Sequence, residues 1–599
     1  MDEFFYKEDD VDDETMLIKS NKHVHGISSI SGTKKSEYYR KNKNKHPEES
    51  RYILQCQTYL YEKLPIFTKA FEEKNVNIIL QICSEMNELL AFVLYAQVEQ
   101  YLSNNNFFKM LRILICQDIE LLPILNCIQT LIQYGSEDIT KYFLSHDLFN
   151  KIISFLSKKI YLTPSLNILS QILPYIHDFS FLDHFSFEEL IFSIDKEIEI
   201  EREADQLKRD SEEEDVNINI PNNNSFLSNQ IVNHYLPLLS FIQSLADVKK
   251  SIPPIIPMAD LFSRLLHLEG ISYHNIIEIT NTISALLSCN DELLGFLIFK
   301  DVFNILSHFF DSNANQKFIS NILKPYVYAC RSASSYPNAA FNLTPNEIRA
   351  QLFKEFNPII IISDLLIPNY NLLSNKREDI ISSVVLYRMI YLSLSFLEIF
   401  GFPQIPEKQY LKKGKTTYLN TAISLKYEES TSSESTFPQK KRVQYIEKEI
   451  QKQFVSYKNL IIFFKDLFIY GVYGYKIRLC KFFLCITKPK NKIYFTSIFP
   501  PTIFDQKFLD SLIKYINSEQ DFENFEETIF TRAVQLLLNI MNLIRGEEIF
   551  NDIIEYIHHS DEFHEIITFL QDFGKPELKP ILKELLSFDG IEPLTMDND

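Results

Sequence analysis

One pattern of residues occurs three times, and it reads as a helical repeat, the alternative being unrelated bundles that share amphipathic helices. The copies run over 142–156, 296–310 and 556–570. Each opens its signature on an aspartate: Asp147, Asp301 or Asp561. A phenylalanine follows two residues on (Phe149, Phe303, Phe563) and an aliphatic residue five on (Ile152, Leu306, Ile566). A second phenylalanine comes eight on (Phe155, Phe309, Phe569), with an apolar residue beside it (Leu156, Phe310, Leu570). These offsets share one face of a helix. The aspartate reads as the N-cap that answers the helix's free amides.

What precedes each copy also matches. A long apolar helix gives way to a short, acid-led one at Gly135-Ser136-Glu137, at Asn290-Asp291-Glu292 and at Gly546-Glu547-Glu548. The unit reads as long helix, short helix, medium helix, long helix. Elsewhere apolar residues recur at three and four, as in Leu166, Leu169, Ile172, Leu173 and in Leu536, Ile540, Leu543, Ile544. Thr163-Pro164 and Thr344-Pro345-Asn346-Glu347 read as helix starts, the second as a capping box. Only 12 glycines occur, so hairpins and phosphate-cradling loops are disfavoured. The fold class expected is all-α.

Polar runs divide the chain. Residues 1–47 read as a disordered acidic and basic tail, 48–202 as helical repeats and 203–228 as an acidic, Asn-rich loop. Repeats resume over 229–402. A polar, basic and Ser/Thr-rich linker follows over 403–442, then repeats over 443–588 and an acidic tail over 589–599.

With 60 Lys+Arg against 79 Asp+Glu, the net charge is −19. That disfavours nucleic acid as the main partner and suits basic protein segments. Eight cysteines without a CxxC pair read as buried thiols in a reducing compartment. No signal peptide is recognised. Ser382–Phe402 contains Arg388 and Glu398 and reads as a buried helix, not a membrane span. A cytoplasmic or nuclear location and a monomer are the expectations.

Catalytic patterns fail on inspection. Gly414-Lys415-Thr416 resembles the end of a phosphate-binding loop, but position 409 is Gln. His564-Glu565 begins a zinc-helix motif, yet position 568 is Thr. No catalytic residue, cofactor or metal is therefore expected, and the chain reads as no enzyme. Ser211, ahead of an acidic run, is a candidate phosphosite or simply part of a solvated stretch. Lys440, Lys441 and Arg442 form a short nuclear-signal-like run.

The repeat resembles the armadillo-repeat superfamily (armadillo/HEAT-like), whose unit is a three-helix repeat of about 40 residues. The resemblance is carried by 118–176, 273–331 and 526–588. It implies a right-handed α-solenoid of armadillo-like repeats whose long helices line a groove for extended peptides. Within that superfamily the importin-α family is the comparison, and the basic segment Tyr39–Lys45 resembles its region ahead of the repeats. That family grips basic cargo with Trp and Asn four apart, and this chain has no Trp. The Trp positions fall on Asn126, Asn281 and Leu538, and the Asn positions on Thr130, Ala285 and Asn542.

Asn126, Asn281, Asn539 and Asn542 are thus candidate peptide-binding residues, since an amide both donates to and accepts from a backbone. The plainer reading of each, and the favoured one, is an ordinary surface or core amide. The function implied is a non-enzymatic scaffold or adaptor holding a basic, extended segment, with nuclear import among the family's roles. The alternative is a structural or regulatory subunit of a larger assembly, such as a coat or a phosphatase or kinase scaffold. Lys34–Lys45 is a candidate tethered competitor for the same groove.

Overall fold

Helix after helix ends in a turn and reverses, and the long ones stack side by side. The computed structural model describes residues 47–588 apart from 95, 118–120, 145, 177–178, 185, 213–223, 249–255, 311–315, 336–343, 355, 368–382, 401–455, 472, 492–502, 521–526, 574–575 and 577. The described residues are predominantly helical and contain no strand. The sequence expectations for residues 1–46, 403–442 (with Lys440, Lys441 and Arg442) and 589–599 lie outside them.

The chain divides into two units, Met1–Leu293 and Leu294–Asp599. The first holds α1 Pro47–Glu72, α2 Val76–Val93, α3 Ala96–Asn104, α4 Phe107–Ile115, α5 Leu122–Tyr134 and α6 Glu137–Phe143. It continues with α7 His146–Phe155, α8 Lys159–Ile172, α9 Phe187–Glu212, α10 Asn224–Val248, α11 Ile256–Leu266 and α12 Tyr273–Leu287. The division falls within α13, Glu292–Phe299. The second unit goes on with α14 Val302–Ser307, α15 Gln316–Ser335, α16 Pro345–Leu352, α17 Pro358–Ile361, α18 Ser383–Phe400 and α19 (residues 456–470). It ends with α20 Tyr473–Ile486, α21 Gln506–Gln520, α22 Glu527–Ile544, α23 Glu548–His558, α24 Asp561–Phe573 and α25 Lys579–Phe588.

In the first unit α1, α2, α5, α8, α10 and α12 pack each on the next. Shorter helices connect them. The second unit has its own row: α15, α18, α20, α22 and α25. Burial follows the amphipathic pattern. On α5, Ile124, Leu125, Ile128 and Leu131 are fully buried, while Asn126, Gln129 and Gln133 are not.

Four helices follow one another at each copy, α5–α8, α12–α15 and α22–α25, but the expected long, short, medium and long lengths hold only at the first: α14 is shorter than α13, and α25 is shorter than α23. The aliphatic residue at +5 is buried in each, at Ile152, Leu306 and Ile566. The acid-led short helix begins at Glu137, Glu292 and Glu548. Gly135 permits the first of these turns. A Cβ there would lie 2.4 Å from the Leu131 carbonyl and 2.8 Å from Ile139 Cδ1.

Several local expectations need correction. Two of the repeated aspartates, Asp301 and Asp561, do not cap. Asp301 sits at the N-cap position with a positive φ of 58° and no side-chain bond to the helix amides; its carboxylate accepts from Asn304 Nδ2 at 2.7 Å. At α24 the cap is Ser560, whose Oγ accepts from the Phe563 N–H at 3.2 Å, leaving Asp561 as the first helical residue. A carboxylate inside the first turn still favours the positive end of the helix dipole, which explains the residue type. Thr163-Pro164 starts nothing, because α8 already runs from Lys159 and Pro164 lies inside it. The Thr344 box is present in full: Thr344 Oγ1 accepts from the Glu347 N–H, and Glu347 Oε2 accepts from the Thr344 N–H.

The acidic loop expected at 203–228 is shorter than its composition implies. α9 continues through Glu212, so Ser211 lies in a helical turn, and α10 already begins at Asn224. Charged side chains on a solvated helix cost little, so polarity alone does not end it.

Candidate functional site

The two rows of long helices differ in the polar and charged side chains they carry. In the first unit hydrogen bonds fix the direction of the row. Thr130, late in α5, donates to Asn87 Oδ1, late in α2. The Leu121 N–H, at the start of α5, donates to Tyr161 Oη, at the start of α8, at 3.4 Å. Asn229 Oδ1, near the start of α10, accepts from the Ser272 N–H at 2.8 Å and from Asn275 Nδ2 at 3.0 Å, at the start of α12. Start meets start and end meets end, so the paired helices run parallel.

Amides and hydroxyls stitch this row. Gln243 Nε2 on α10 donates to Thr282 Oγ1 on α12 at 2.7 Å. The partly exposed stripe continues the same chemistry with Asn126, Gln129 and Gln133 on α5, Asn167 and Gln171 on α8, and Asn281 on α12. Lys159 is the one cation in α2, α5, α8, α10 and α12 together, against four acids: Glu85, Glu88, Asp247 and Glu278. Glu85 accepts from Tyr59 Oη at 2.6 Å and pairs with Lys63 at 3.0 Å. The Tyr59 hydroxyl, then the Gln81 amide and the Lys63 ammonium, hold its carboxyl below the usual glutamate value.

The row of the second unit is built from different side chains. α15, α18 and α20 carry seven cations (Lys317, Lys324, Arg331, Arg388, Lys476, Arg478 and Lys481) and one acid, Glu398. Glu398 is paired with Arg349 at 3.4 Å. Arg331 and Arg478 both lie over Tyr387 and Tyr391, with guanidinium-to-ring distances of 4.6–5.5 Å. Arg331 Nη2 also donates to Tyr387 Oη at 2.7 Å. Arg388 Nη1 donates to the Ser320 carbonyl at 3.2 Å. Burial pushes the Arg388 guanidinium down to about 10, against an opposing pull from Tyr328 and with a lesser push from the Arg331 charge.

The four candidate asparagines fall into two pairs. Asn126 and Asn281 are half-buried on α5 and α12, with α8 and α10 between them in the row. Asn539 is buried, with 8% exposed, and accepts from Gln535 Nε2 at 3.0 Å. Asn542 donates to Glu584 Oε1 at 2.7 Å. Asn281 is engaged within the protein as well, as Asn539 is within α22 and Asn542 is between α22 and α25.

Sequence reasoning missed two clusters. One is the arginine–tyrosine group; the Tyr387/Tyr391 pair at i, i+4 was its only legible trace. The other joins Glu197 and Glu201 of α9 with His234 of α10, whose ligand-type atoms lie within 4.8 Å of one another. His234 Nε2 and Glu201 Oε2 are 2.9 Å apart. None of the eight cysteines is in a disulfide. Five are buried as expected, and burial raises the Cys330 thiol to about 12, which makes it inert. Cys116 departs from that expectation, being exposed just past the end of α4. Among the described residues no helix is long and apolar enough to cross a membrane.

No protein-family model matches the chain, and the search of curated proteins finds no match. Among solved structures the chain is similar to an engineered protein from the Northeast Structural Genomics Consortium, at 8% identity and a TM-score of 0.46. That match covers 88% of this chain and 99% of the other.

Proposed function

We propose that this chain is a non-enzymatic protein-binding scaffold that holds an extended, basic segment of a partner along the row α2, α5, α8, α10 and α12. In this reading the helices form a right-handed, armadillo-like solenoid, and the protein acts as an adaptor in the cytoplasm or nucleus. The observation that carries it is the composition of that row: amides and hydroxyls throughout, four acids and one cation. Asparagine and glutamine side chains present both a donor and an acceptor, so they satisfy an extended backbone without reading its sequence. The acids and the net charge of −19 favour lysine and arginine between those backbone contacts.

Parallel long helices separated by shorter ones also fit the three-helix repeat that the sequence resembles. Without the tryptophans of the importin-α family, the aliphatic stems of basic side chains have no indole wall to lie against. Selectivity for a nuclear signal is accordingly weaker here than for basic segments in general.

The test is fluorescence anisotropy of a labelled Lys–Ser repeat peptide against the full chain. Binding is expected, weakening as salt rises. Replacing Asn126 and Asn281 together by alanine should weaken it about tenfold, at roughly 0.5–1.5 kcal/mol for each lost hydrogen bond. Binding that ignores both changes removes the proposal.

A further inference from the structure

Glu197 and Glu201 stand four residues apart on α9, so both carboxylates project from one face of that helix. His234 approaches them from α10, and one ligand-type atom of each of the three lies within 4.8 Å of the others. We propose that Glu197, Glu201 and His234 form a site for a divalent transition-metal ion of the zinc class, which clasps α9 to α10.

Unanswered charge is the first argument. Asp195, two residues before Glu197, has its partners: its carboxylate accepts from Arg264 Nη1 and Nη2 at 3.1 and 3.2 Å and from the Tyr235 hydroxyl. Glu197 and Glu201 are placed differently. Among the described residues Glu201 meets only the imidazole, whose Nε2 is 2.9 Å from its Oε2, and Glu197 has neither a hydrogen bond nor an ion pair. Two carboxylates held this close repel, and a cation between them turns that repulsion into attraction.

The donor set selects the ion. Calcium and magnesium take oxygen ligands, whereas an imidazole nitrogen beside carboxylates suits zinc and its neighbours. Zinc binds such atoms at about 2.0–2.2 Å, so two ligands of a tetrahedral ion are ~3.4 Å apart. His234 and Glu201 already meet at that scale, and Glu197 reaches it by rotation about its own side-chain bonds. Glu197 and His234 are half-buried and Glu201 is exposed, so the ion's remaining position opens to water.

The place of the site gives it a consequence. Ile191, Ile194 and Ile198 anchor α9 by burial. From Glu199 through Ala204 every residue is exposed, yet the helix continues to Glu212. The three ligands sit at the step where apolar anchorage stops. A bound ion holds the outer part of α9 where packing no longer does.

The experiment uses the full chain, stripped of metal by a chelator and then given zinc or magnesium alone. Bound metal is measured by equilibrium dialysis, and hydrogen exchange is followed over residues 199–212. Zinc is expected to bind and to slow exchange there, and magnesium to leave it unchanged. Glu197→Gln removes a carboxylate that has no partner, so the fold is kept; it should weaken zinc binding at least about tenfold and abolish the protection. His234→Gln, which removes the nitrogen ligand, should do the same. No zinc binding, zinc bound without slower exchange over 199–212, equal protection in Glu197→Gln, or equal protection by magnesium would each overturn the proposal.

Discussion

In the first unit five stacked helices share one lysine, and amide-to-hydroxyl bonds such as Gln243–Thr282 stitch one helix to the next. In the second, three stacked helices share seven cations, and the stitching is done by arginine over tyrosine. The apolar faces are alike: leucine, isoleucine and phenylalanine buried at helical spacing in both. What differs is the polar and charged side chains set between those faces, several of them buried, such as Thr282 and Arg478. A helical row needs only its apolar stripe to stack, so the remaining side of each helix is open to change without loss of fold.

Breaking the arginine stack should have the largest effect. Arg478 is 5% exposed and lies 4.6 Å from the Tyr387 ring. Arg478→Glu places an acid in its stead and should cost about 3–5 kcal/mol, as losing one member of a buried charged group does. Arg478→Met keeps the stem and should cost less, leaving the cation–π part, about 1–2 kcal/mol. Urea unfolding of both variants measures the gap. Equal costs would show that packing, not charge, sustains this row.

The matching change in the first unit is Thr282→Val. It preserves shape and strips Gln243 Nε2 of its acceptor on a buried hydroxyl, with Gln243 also donating to the Glu278 carbonyl at 3.3 Å. A loss of about 1–2 kcal/mol is expected, below the arginine change, because a neutral bond is broken. A cost above that of Arg478→Glu would reverse the ranking of the two rows.

The smallest effect is at low pH. Glu85 has a depressed folded-state value, from the Tyr59 hydroxyl first. Its contribution is present above the ordinary glutamate value of about 4.3 and is lost as pH falls through the lower folded value. The group is largely solvated, so only a slight loss of urea midpoint is expected below about pH 4. Glu85→Gln should flatten that slope. An unchanged slope would mean that the Tyr59–Lys63–Glu85 set adds nothing to the first unit.

The sequence by itself determined the helices, their succession by fours at the repeats though not their lengths, and the Thr344 box, because helical periodicity and capping are local properties carried by neighbouring residues. It overreached where polarity was read as loop. The acidic run from Glu203 to Glu212 is helical, since exposed charge is compatible with a helix. It misplaced the aspartate caps because dipole and cap favour the same residue one position apart. Only tertiary structure decided which polar residues meet. Gln243 and Thr282 are 39 residues apart, Arg331 and Tyr387 are 56, and His234 lies 33 positions beyond Glu201. Periodicity says which side of its own helix a residue occupies. It carries no information about which helix lies across from it, and the charge of each row is the sum of such meetings.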